Sequence, residues 1–396
     1  MFSVDQALEA ILSNAVLCER IETVSLDDTL GRTLAESQVA GVDVPPADNS
    51  AMDGYAIHTD DLSSAELTDF VVHQTLRAGV APQAHRARTA TRIFTGAEIP
   101  PGANAVVMQE RCSVEEDRVS IPSAAAPPGN NIRPRGQDIQ TGDIILQQGT
   151  CLQAQHIGLL ASVGIASVKV YKPLTVALLS TGNELVEPGE NLQTGKIYNS
   201  NRYLLKNLLK GMGLFVQDLG IIIDDLSITE QALKEASKAD CIISTGGVSV
   251  GEEDYVKTAL ENSGELNFWR IAMKPGKPLA FGQVYGTYFF GLPGNPVSSF
   301  VTFLLFVRPF LLTMQGQKSV LPKAQTAVAA FSKKANPKRQ EYLRVTLEAG
   351  KAYSYGNQSS GVLSSVVAAD AFATIPAGSA VTVGDLVEII PFSELF

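Results

Sequence analysis

The chain has 396 residues, and its 31 lysines and arginines against 41 aspartates and glutamates give a formal net charge of −10. This length predicts roughly two to four domains, and a hydrophobic fraction of 45% with 18% charged residues excludes an intrinsically disordered chain. The acidic balance argues against a protein that binds nucleic acid or an anionic membrane, because both need a basic surface. It still permits a small anionic substrate that is held by a few local cations.

The cysteines and the apolar runs exclude further classes. The four cysteines lie far apart without a C-x-x-C motif, so neither a zinc site nor a disulfide framework is indicated. Dispersed thiols fit a reducing compartment, and we expect a cytoplasmic protein. No basic segment followed by an apolar stretch opens the chain. The longest apolar run, Phe300 to Met314, is interrupted by Arg308 and Pro309, which predicts a buried helix and no membrane span.

The first half of the chain reads as one helix followed by a β-rich region. Apolar residues at helical spacing between Val4 and Val16 predict an amphipathic helix. From about Gly41 to Thr150 the chain is rich in proline, glycine and short β-like runs, which predicts a β-rich module with many turns.

The second half alternates strands and helices and then returns to strands. From Pro173 onward short apolar runs alternate with amphipathic stretches, which predicts a doubly wound α/β domain with a mostly parallel sheet. Within it, Ser227 and Glu230 fit a capping box, and Asn295 can cap a helix that starts at Pro296. From about Ser319 the chain reads as short strands without helices, which predicts a small β-barrel or sandwich.

Three glycine-containing loops follow predicted strands of the α/β domain, where ligands of such sheets collect: Ser180–Glu184, Ser244–Asp254 and Gly291–Pro296. Glycine lets backbone N–H groups approach a phosphate, although ordinary turns explain such loops equally well. A P-loop is excluded because Glu252 and Glu253 stand where lysine and serine or threonine belong. A dinucleotide fingerprint is also absent.

Cations and carboxylates accompany these loops. Lys274 and Lys277 lie in a proline-stiffened turn and could clamp an oxyanion; an isolated lysine pair is usually only solvated, but the position between glycine loops favours a functional role. The carboxylates at predicted strand ends could hold Mg²⁺ with substrate oxygens, with capping as the alternative: Glu184, Asp224, Asp225 and Asp254. For Asp225 the capping alternative is favoured.

Five further segments stand in register with the three loops above: Pro45–Ala56 (PPADNSAMDGYA), Arg92–Ala97 (RIFTGA), Arg133–Ile139 (RPRGQDI), Met273–Pro278 (MKPGKP) and Glu341–Arg344 (EYLR). Together these motifs resemble the MoeA family, the molybdopterin molybdenumtransferases, over essentially the whole chain. They also resemble the catalytic E domain of gephyrin-like proteins.

The resemblance implies the last step of molybdenum cofactor synthesis. An adenylylated molybdopterin would be bound, molybdate inserted at its dithiolene, and AMP released with Mg²⁺. It also implies an elongated homodimer whose cleft lies between the α/β domain of one subunit and the β-rich module of the other. The expected domains are an N-terminal helix (1–25), a connecting domain (26–44 and 141–172), the β-rich module (45–140), a MogA-like molybdopterin-binding domain (173–318) and a C-terminal β-barrel (319–396).

Residue by residue, the resemblance implies a site in three groups. Catalytic roles fall on Asp53, Thr95, Asp138, Glu184, Asp224, Asp254, Lys274, Lys277 and Arg344. Cofactor-binding roles fall on Thr181, Gly182, Gly246, Gly247, Ser249, Gly251, Pro293, Gly294, Asn295, Pro296, Ser364 and Ser365, and the metal would be held by Glu184 and Asp254. The resemblance does not choose between Ser364 and Ser365 as the contact to substrate. Asn183 and Gln137 depart from the family, where many members carry acidic residues.

Two functional hypotheses remain open at this point. The first is a molybdenum insertase, for which molybdate and tungstate fit equally well because they share size and charge. The alternative is a catalytically idle homologue that carries molybdopterin or acts as a scaffold. A nucleotide hydrolase is disfavoured by the missing P-loop residues. Partners implied by the resemblance are the molybdopterin adenylyltransferase and the molybdoenzymes that receive the cofactor.

Overall fold

A six-stranded sheet forms the centre of the α/β domain. The computed structural model describes residues 1–246, 258–259 and 262–396, and the strands lie side by side in the order Phe215–Ile222, Thr175–Thr181, Cys241–Thr245, Thr287–Leu292, Pro278–Val284 and Gly264–Arg270. The first four are mutually parallel, and antiparallel pairing adds the last two. Thr175–Thr181 and Cys241–Thr245 are buried almost throughout, as strands covered on both faces must be. The predicted mostly parallel sheet is confirmed.

Helices cover both faces of this sheet. Leu226–Ala236 packs on one face, and Val4–Leu12, Ser200–Gly211 and the helical segment Pro296–Met314 pack on the other. The last segment consists of α-helix Pro296–Thr302, π-helix Phe303–Val307 and α-helix Arg308–Met314. It is long and apolar enough to cross a membrane, but 89% of its most apolar window is buried inside the protein. The predicted buried helix is therefore confirmed.

Two predicted helix boundaries are wrong. The N-terminal helix ends at Leu12, before Val16. The Ser13 and Asn14 side chains both donate to the Ala10 carbonyl, which would accept a backbone N–H if the helix continued. The helix that was expected to begin with a Ser227 capping box begins at Leu226. Asp225 caps it, accepting the Ile228 N–H at 2.9 Å.

The β-rich module has its own sheet and its own core. Its strands lie in the order Ala105–Met108, Gly54–Ile57, Thr89–Ile93, Leu67–Leu76, Arg118–Pro122 and Ser113–Glu115. Asn49–Ser50 pairs with Ile132–Arg133 beside this sheet, and 3₁₀ turns lie at Thr59–Asp61, Gln109–Arg111 and Ser123–Ala125. The chain segments that precede and follow the module in sequence pair with each other. They form a small layer that connects the module to the α/β domain. Its elements are Ile21–Ser25 with Ser167–Tyr171, Gln38–Val39 with Ile144–Leu146, the helix Ala154–Ser162 and the 3₁₀ turn Leu26–Asp28.

The C-terminal region is a closed five-stranded barrel. Its strands are Gln325–Ala329, Gln340–Glu348, Lys351–Ser354, Ala371–Ile375 and Leu386–Pro391, and Gln340–Glu348 closes the ring by pairing on both sides. The expectation of strands without helices is corrected by the short helix Ser364–Val367 and the 3₁₀ turn Phe392–Glu394. Met273–Lys274 pairs in parallel with Gln340–Glu341, so the barrel sheet extends to the lysine-bearing turn.

Candidate active site

A cavity of about 360 Å³ opens at the carboxyl ends of Thr175–Thr181 and Cys241–Thr245. The parallel pairing of these strands brings their following loops to one edge of the sheet, together with the loop before Pro296. The cavity is lined by Thr181, Glu184, Leu185, Ile197, Tyr198, Asn199, Ser200, Asn201, Thr245, Gly246, Gly294, Asn295 and Pro296. Of the predicted cofactor-binding residues, five line this cavity, namely Thr181, Gly246, Gly294, Asn295 and Pro296; Gly182 and Pro293 lie next to lining residues.

The glycine at the end of the third strand is required by close backbone packing. Gly246 has φ +86°, and a Cβ there would overlap the carbonyl oxygen of Thr181. The two strand ends therefore meet backbone to backbone beneath the cavity. Gly247, Ser249, Gly251 and Asp254, which were predicted to continue this loop and to bind the ligand and metal, lie outside the described residues.

The predicted carboxylates have three different environments. Glu184 is exposed and lines the cavity. Asp224 is half-buried and accepts the backbone N–H of Asn183 at 3.2 Å, which joins the loops after two neighbouring strands. Asp225 caps a helix, so the capping alternative describes it correctly. Among the described residues no three His, Cys, Asp or Glu side chains are grouped closely enough to hold a metal ion alone.

The lysine turn is anchored to the barrel by a buried carboxylate. Glu341 is 3% exposed, and its oxygens lie 3.4 Å from Lys274 Nζ and 2.8 Å from Lys333 Nζ. Asn336 donates to the same carboxylate at 3.0 Å. Burial acts to raise the pKa of Glu341, but these bonds and charges outweigh it and the pKa is lowered. Lys274 and Lys277 are both exposed, so the turn presents its positive charge to solvent.

Arg344 is enclosed within the barrel region. It is 1% exposed, and its guanidinium donates to Ser365 Oγ at 3.0 Å and to the Ser359 carbonyl at 3.2 Å. Burial lowers the pKa of Arg344 to about 10. Ser365 is fully buried while Ser364 is exposed at the start of the short helix. The two serines thus differ: Ser365 positions the guanidinium, and Ser364 faces solvent.

The site residues of the β-rich module form a separate group. Asp53 accepts both the backbone N–H and the Oγ–H of Thr95, each at 2.8 Å, and these bonds lower the pKa of Asp53. Asp138 is exposed, and its N–H donates to the Val44 carbonyl. Across the described ranges, no hydrogen bond or ion pair joins residues 45–140 to residues 173–396. Within one chain, Asp53, Thr95 and Asp138 are not brought against the cavity.

Comparison with known proteins covers all of these regions. Residues 2–164 match the MoeA N-terminal region (domain I and II), residues 177–313 match a probable molybdopterin binding domain, and residues 326–392 match the MoeA C-terminal region (domain IV). A molybdopterin molybdenumtransferase from Haemophilus influenzae is 40% identical over all of both chains. The chain belongs to the MoeA family. A second molybdopterin molybdenumtransferase, from Staphylococcus aureus, is 36% identical over 95% of this chain and 92% of its own length.

The MoeA fold is also found in a solved structure. A molybdopterin biosynthesis MoeA protein from Pyrococcus horikoshii superposes with a TM-score of 0.88 at 31% identity, covering 99% of this chain and all of its own. Together with the barrel and the doubly wound domain, this similarity confirms the predicted fold class. In this MoeA chain the side chain of Asn183, the residue that departs from the family, accepts the backbone N–H of Asp224 through Oδ1 at 3.4 Å.

One wall of the MoeA cavity was not predicted from the sequence. Ile197 to Asn201 line it, and none of them was predicted as a site residue. This segment precedes the helix Ser200–Gly211, and Asn199 is the cap of that helix, accepting from the Arg202 N–H. The available signal was the Asn-Ser-Asn sequence at a helix start, which indicates a cap and gives no sign that its side chains reach a ligand cavity.

Proposed function

We propose that this chain is a molybdenum insertase that transfers molybdenum from molybdate to adenylylated molybdopterin and releases AMP. The observation that carries the proposal is the cavity at the strand ends, which lies within the molybdopterin-binding segment 177–313 and has Glu184 on its wall. The curated relatives, which are matched over 92% or more of their own lengths, are named molybdopterin molybdenumtransferases. The sulfur chemistry belongs to the molybdopterin dithiolene, so the chain has to bind, orient and neutralise anions.

Charge neutralisation is the task of the lysine turn. Molybdate is a dianion and molybdopterin carries phosphate, so both need cations or oriented N–H donors. Lys274 is exposed, and its ammonium group pairs with the buried carboxylate of Glu341. This ion pair fixes the position of the positive charge. The N-terminus of the helical segment Pro296–Met314 opens at the cavity and adds a positive dipole end.

We propose Mg²⁺ as the metal of this site. Glu184 supplies a hard, exposed oxygen donor beside the cavity, and a Mg²⁺ ion typically takes one or two carboxylates together with substrate phosphate oxygens. Glu184 therefore fits as one ligand, and Asp254, which lies outside the described residues, is the predicted second ligand. When bound, Mg²⁺ would supply polarisation of the phosphoanhydride. Removal of divalent ions with a chelator should abolish AMP release.

The active unit that we propose is a homodimer with composite clefts. Asp53, Thr95 and Asp138 of one subunit would complete the cavity of the other, a proposal supported by their separation from that cavity within one chain. A second cleft of about 1850 Å³ is lined by exposed apolar side chains such as Val367 and Phe396, which a second copy could cover. We propose the domain division given above for each subunit and the cytoplasm as its location.

The deciding experiment is a defined reaction. Purified protein, adenylylated molybdopterin, molybdate and Mg²⁺ should yield AMP and a cofactor that reconstitutes an apo-molybdoenzyme. Asp53→Ala and Asp254→Ala should lose turnover and remain folded. Binding of molybdopterin without AMP release would overturn the insertase and favour the idle carrier. The same assay, supplied with the molybdopterin adenylyltransferase, tests whether that enzyme hands its product to this one.

A further inference from the structure

The pair Asp53–Thr95 lies just beyond the end of a strand pairing in the β-rich module. Gly54 pairs with Ile93 at this end of the sheet, and beyond them the two chain segments separate. Asp53 and Thr95 rejoin the segments, because Asp53 Oδ1 accepts both the backbone N–H and the Oγ–H of Thr95. The geometry of this pair therefore depends on how the two strand ends are held.

One guanidinium lies at this end of the sheet and contacts all three strands that meet there. Arg92 Nη1 donates to the Gly54 carbonyl at 2.9 Å and to the Ile93 carbonyl at 3.3 Å. Arg92 Nη2 donates to Gln109 Oε1, and the Gln109 N–H donates to the Asp53 carbonyl at 3.0 Å. Gln109 directly follows the third strand, whose last residue also pairs with Gly54. Arg92 thus connects the three strand ends next to Asp53.

Two aromatic rings fix the orientation of this guanidinium. Arg92 Cζ lies 4.6 Å from the centre of the Phe94 ring and 5.2 Å from the centre of the Tyr55 ring. Tyr55 is buried and pairs directly with Arg92 across the two strands. Phe94 immediately precedes Thr95 in the chain. The same contacts therefore orient Arg92 and restrain the residue before Thr95.

The charge of Arg92 also favours the ionised form of Asp53. The two Thr95 bonds are the largest cause of the lowered pKa of Asp53, and the nearby Arg92 charge lowers it further. The hydrogen bonds of Arg92 itself go to two backbone carbonyls and to Gln109. Arg92 therefore acts on the carboxylate through position and charge.

We propose that Arg92 is a positioning residue that holds Asp53 and Thr95 in the geometry that the reaction needs. The inference rests on the proposed function, because it takes Asp53 and Thr95 as members of the catalytic cleft. A misplacement of about 1 Å in a catalytic group can cost roughly a hundredfold in rate. The position of the strand ends next to Asp53 would then determine the rate of turnover.

Two substitutions separate the geometry of the guanidinium from its charge. Arg92→Lys keeps the positive charge, but an ammonium group cannot reproduce the planar set of donors that contacts three strand ends. Arg92→Met keeps a long side chain and removes the charge and the donors together. Arg77→Met is the matched control. Arg77 is exposed, its Cζ lies 5.7 Å from the centre of the same Phe94 ring, and its side chain makes no hydrogen bond to the described residues.

The primary measurement is hydrogen exchange in the free protein, which requires neither substrate nor turnover. The Thr95 N–H should exchange roughly tenfold faster in both Arg92 variants, because its bond to Asp53 opens more often. Amides of the strand Arg118–Pro122, which lies two strands from Thr89–Ile93 in the same sheet, should exchange at the wild-type rate. Arg77→Met should leave both segments unchanged.

Turnover provides the second measurement. In Arg92→Lys and Arg92→Met, kcat for AMP release should fall roughly tenfold or more, while KM for adenylylated molybdopterin and for molybdate changes less than about twofold. This split is expected of a residue that orders groups acting in the transition state. A residue that binds the substrate would raise KM instead.

Four results would overturn the inference. They are a Thr95 N–H that exchanges at the wild-type rate in both variants, exchange that rises equally throughout the sheet, a rise in KM without a fall in kcat, and full recovery of kcat in Arg92→Lys. The last result would show that charge alone matters. If the wild-type chain releases no AMP while Thr95 exchange rises as expected, the insertase proposal fails and the ordering of Asp53 and Thr95 by Arg92 stands.

Discussion

At the scale of single residues, Glu341 shows how a buried charge can serve a distant task. Its carboxylate belongs to the barrel, yet it pairs with Lys274 of the α/β domain and with Lys333. An ion pair that is half in solvent contributes little to stability, so its value lies in fixing the position of an ammonium group. The exposed lysine is thereby held without being buried.

Glu341→Gln should destabilise the protein at neutral pH by about 1 kcal/mol, a modest effect because both lysines are partly exposed. The pKa of Glu341 is lowered in the folded state. Its stabilising contribution is therefore present above the carboxylate pKa of the unfolded chain and is lost as the pH falls through the folded-state value. Chemical denaturation as a function of pH measures the difference between variant and wild type.

Glu348→Gln, an exposed glutamate at the end of the same strand, is the control. It should leave stability unchanged at every pH. A Glu341→Gln penalty that persisted undiminished in acid would show that packing, and not charge, explains the effect. Turnover should also fall in Glu341→Gln, since Lys274 is no longer held in place by the carboxylate.

At the scale of elements, the cavity depends on two strand ends, at Thr181 and Gly246, whose backbones approach closely because Gly246 has no side chain. Gly246→Ala would force a Cβ into the Thr181 carbonyl and a left-handed φ onto alanine. We expect a loss of more than about 1 kcal/mol in unfolding free energy and weaker pterin binding. Gly294→Ala, on the same cavity, is the control, because a Cβ there meets nothing within 4 Å. Equal melting temperatures for the two variants would contradict the prediction.

Patterns of apolar residues were sufficient to predict most of these elements. The sheet, its parallel core and the buried helix after Pro296 follow from periodicity, since burial on both faces leaves a continuous apolar run. Caps were harder. Asp225 and Ser227 are both good caps two residues apart, and only the folded backbone shows that Asp225 meets the Ile228 N–H.

The candidate site was predicted only in part, for a physical reason. Loops after strands are expected to converge in any doubly wound sheet, which placed Thr181, Glu184 and Gly246 at the cavity. Asn199 was missed because its sequence context indicates a helix cap and gives no sign that the residue lines the cavity. The pairing of Lys274 with Glu341 joins residues 67 positions apart, which no local pattern specifies.

At the scale of the whole molecule, the proposed composite cleft predicts complementation between two inactive variants. Asp53→Ala would damage the face contributed by the β-rich module, and Glu184→Ala the face contributed by the α/β domain. In a two-fold dimer, each mixed pair would contain one intact cleft and one doubly damaged cleft. Unfolding and refolding an equal mixture should therefore restore about a quarter of wild-type turnover.

AMP release by each variant alone, and by the refolded mixture, is the measurement. Two variants of the same face, Glu184→Ala with Lys274→Ala, are the control and should regain no more activity than either variant alone. No recovery in the test pair would show that each cleft is built within one chain. Recovery in the control pair would show that Glu184 and Lys274 of one subunit do not serve the same cleft.

The parallel pairing of Met273–Lys274 with Gln340–Glu341 has a consequence for protein engineering. The sheet and the ion pair both cross from the α/β domain into the barrel, so a chimera that grafts the barrel of a relative onto this chain would import the partner of Lys274 along with the graft. A donor with a neutral residue at position 341 would give a folded but poorly active hybrid. A donor that retains the glutamate at position 341 should give a hybrid with the activity of the parent protein.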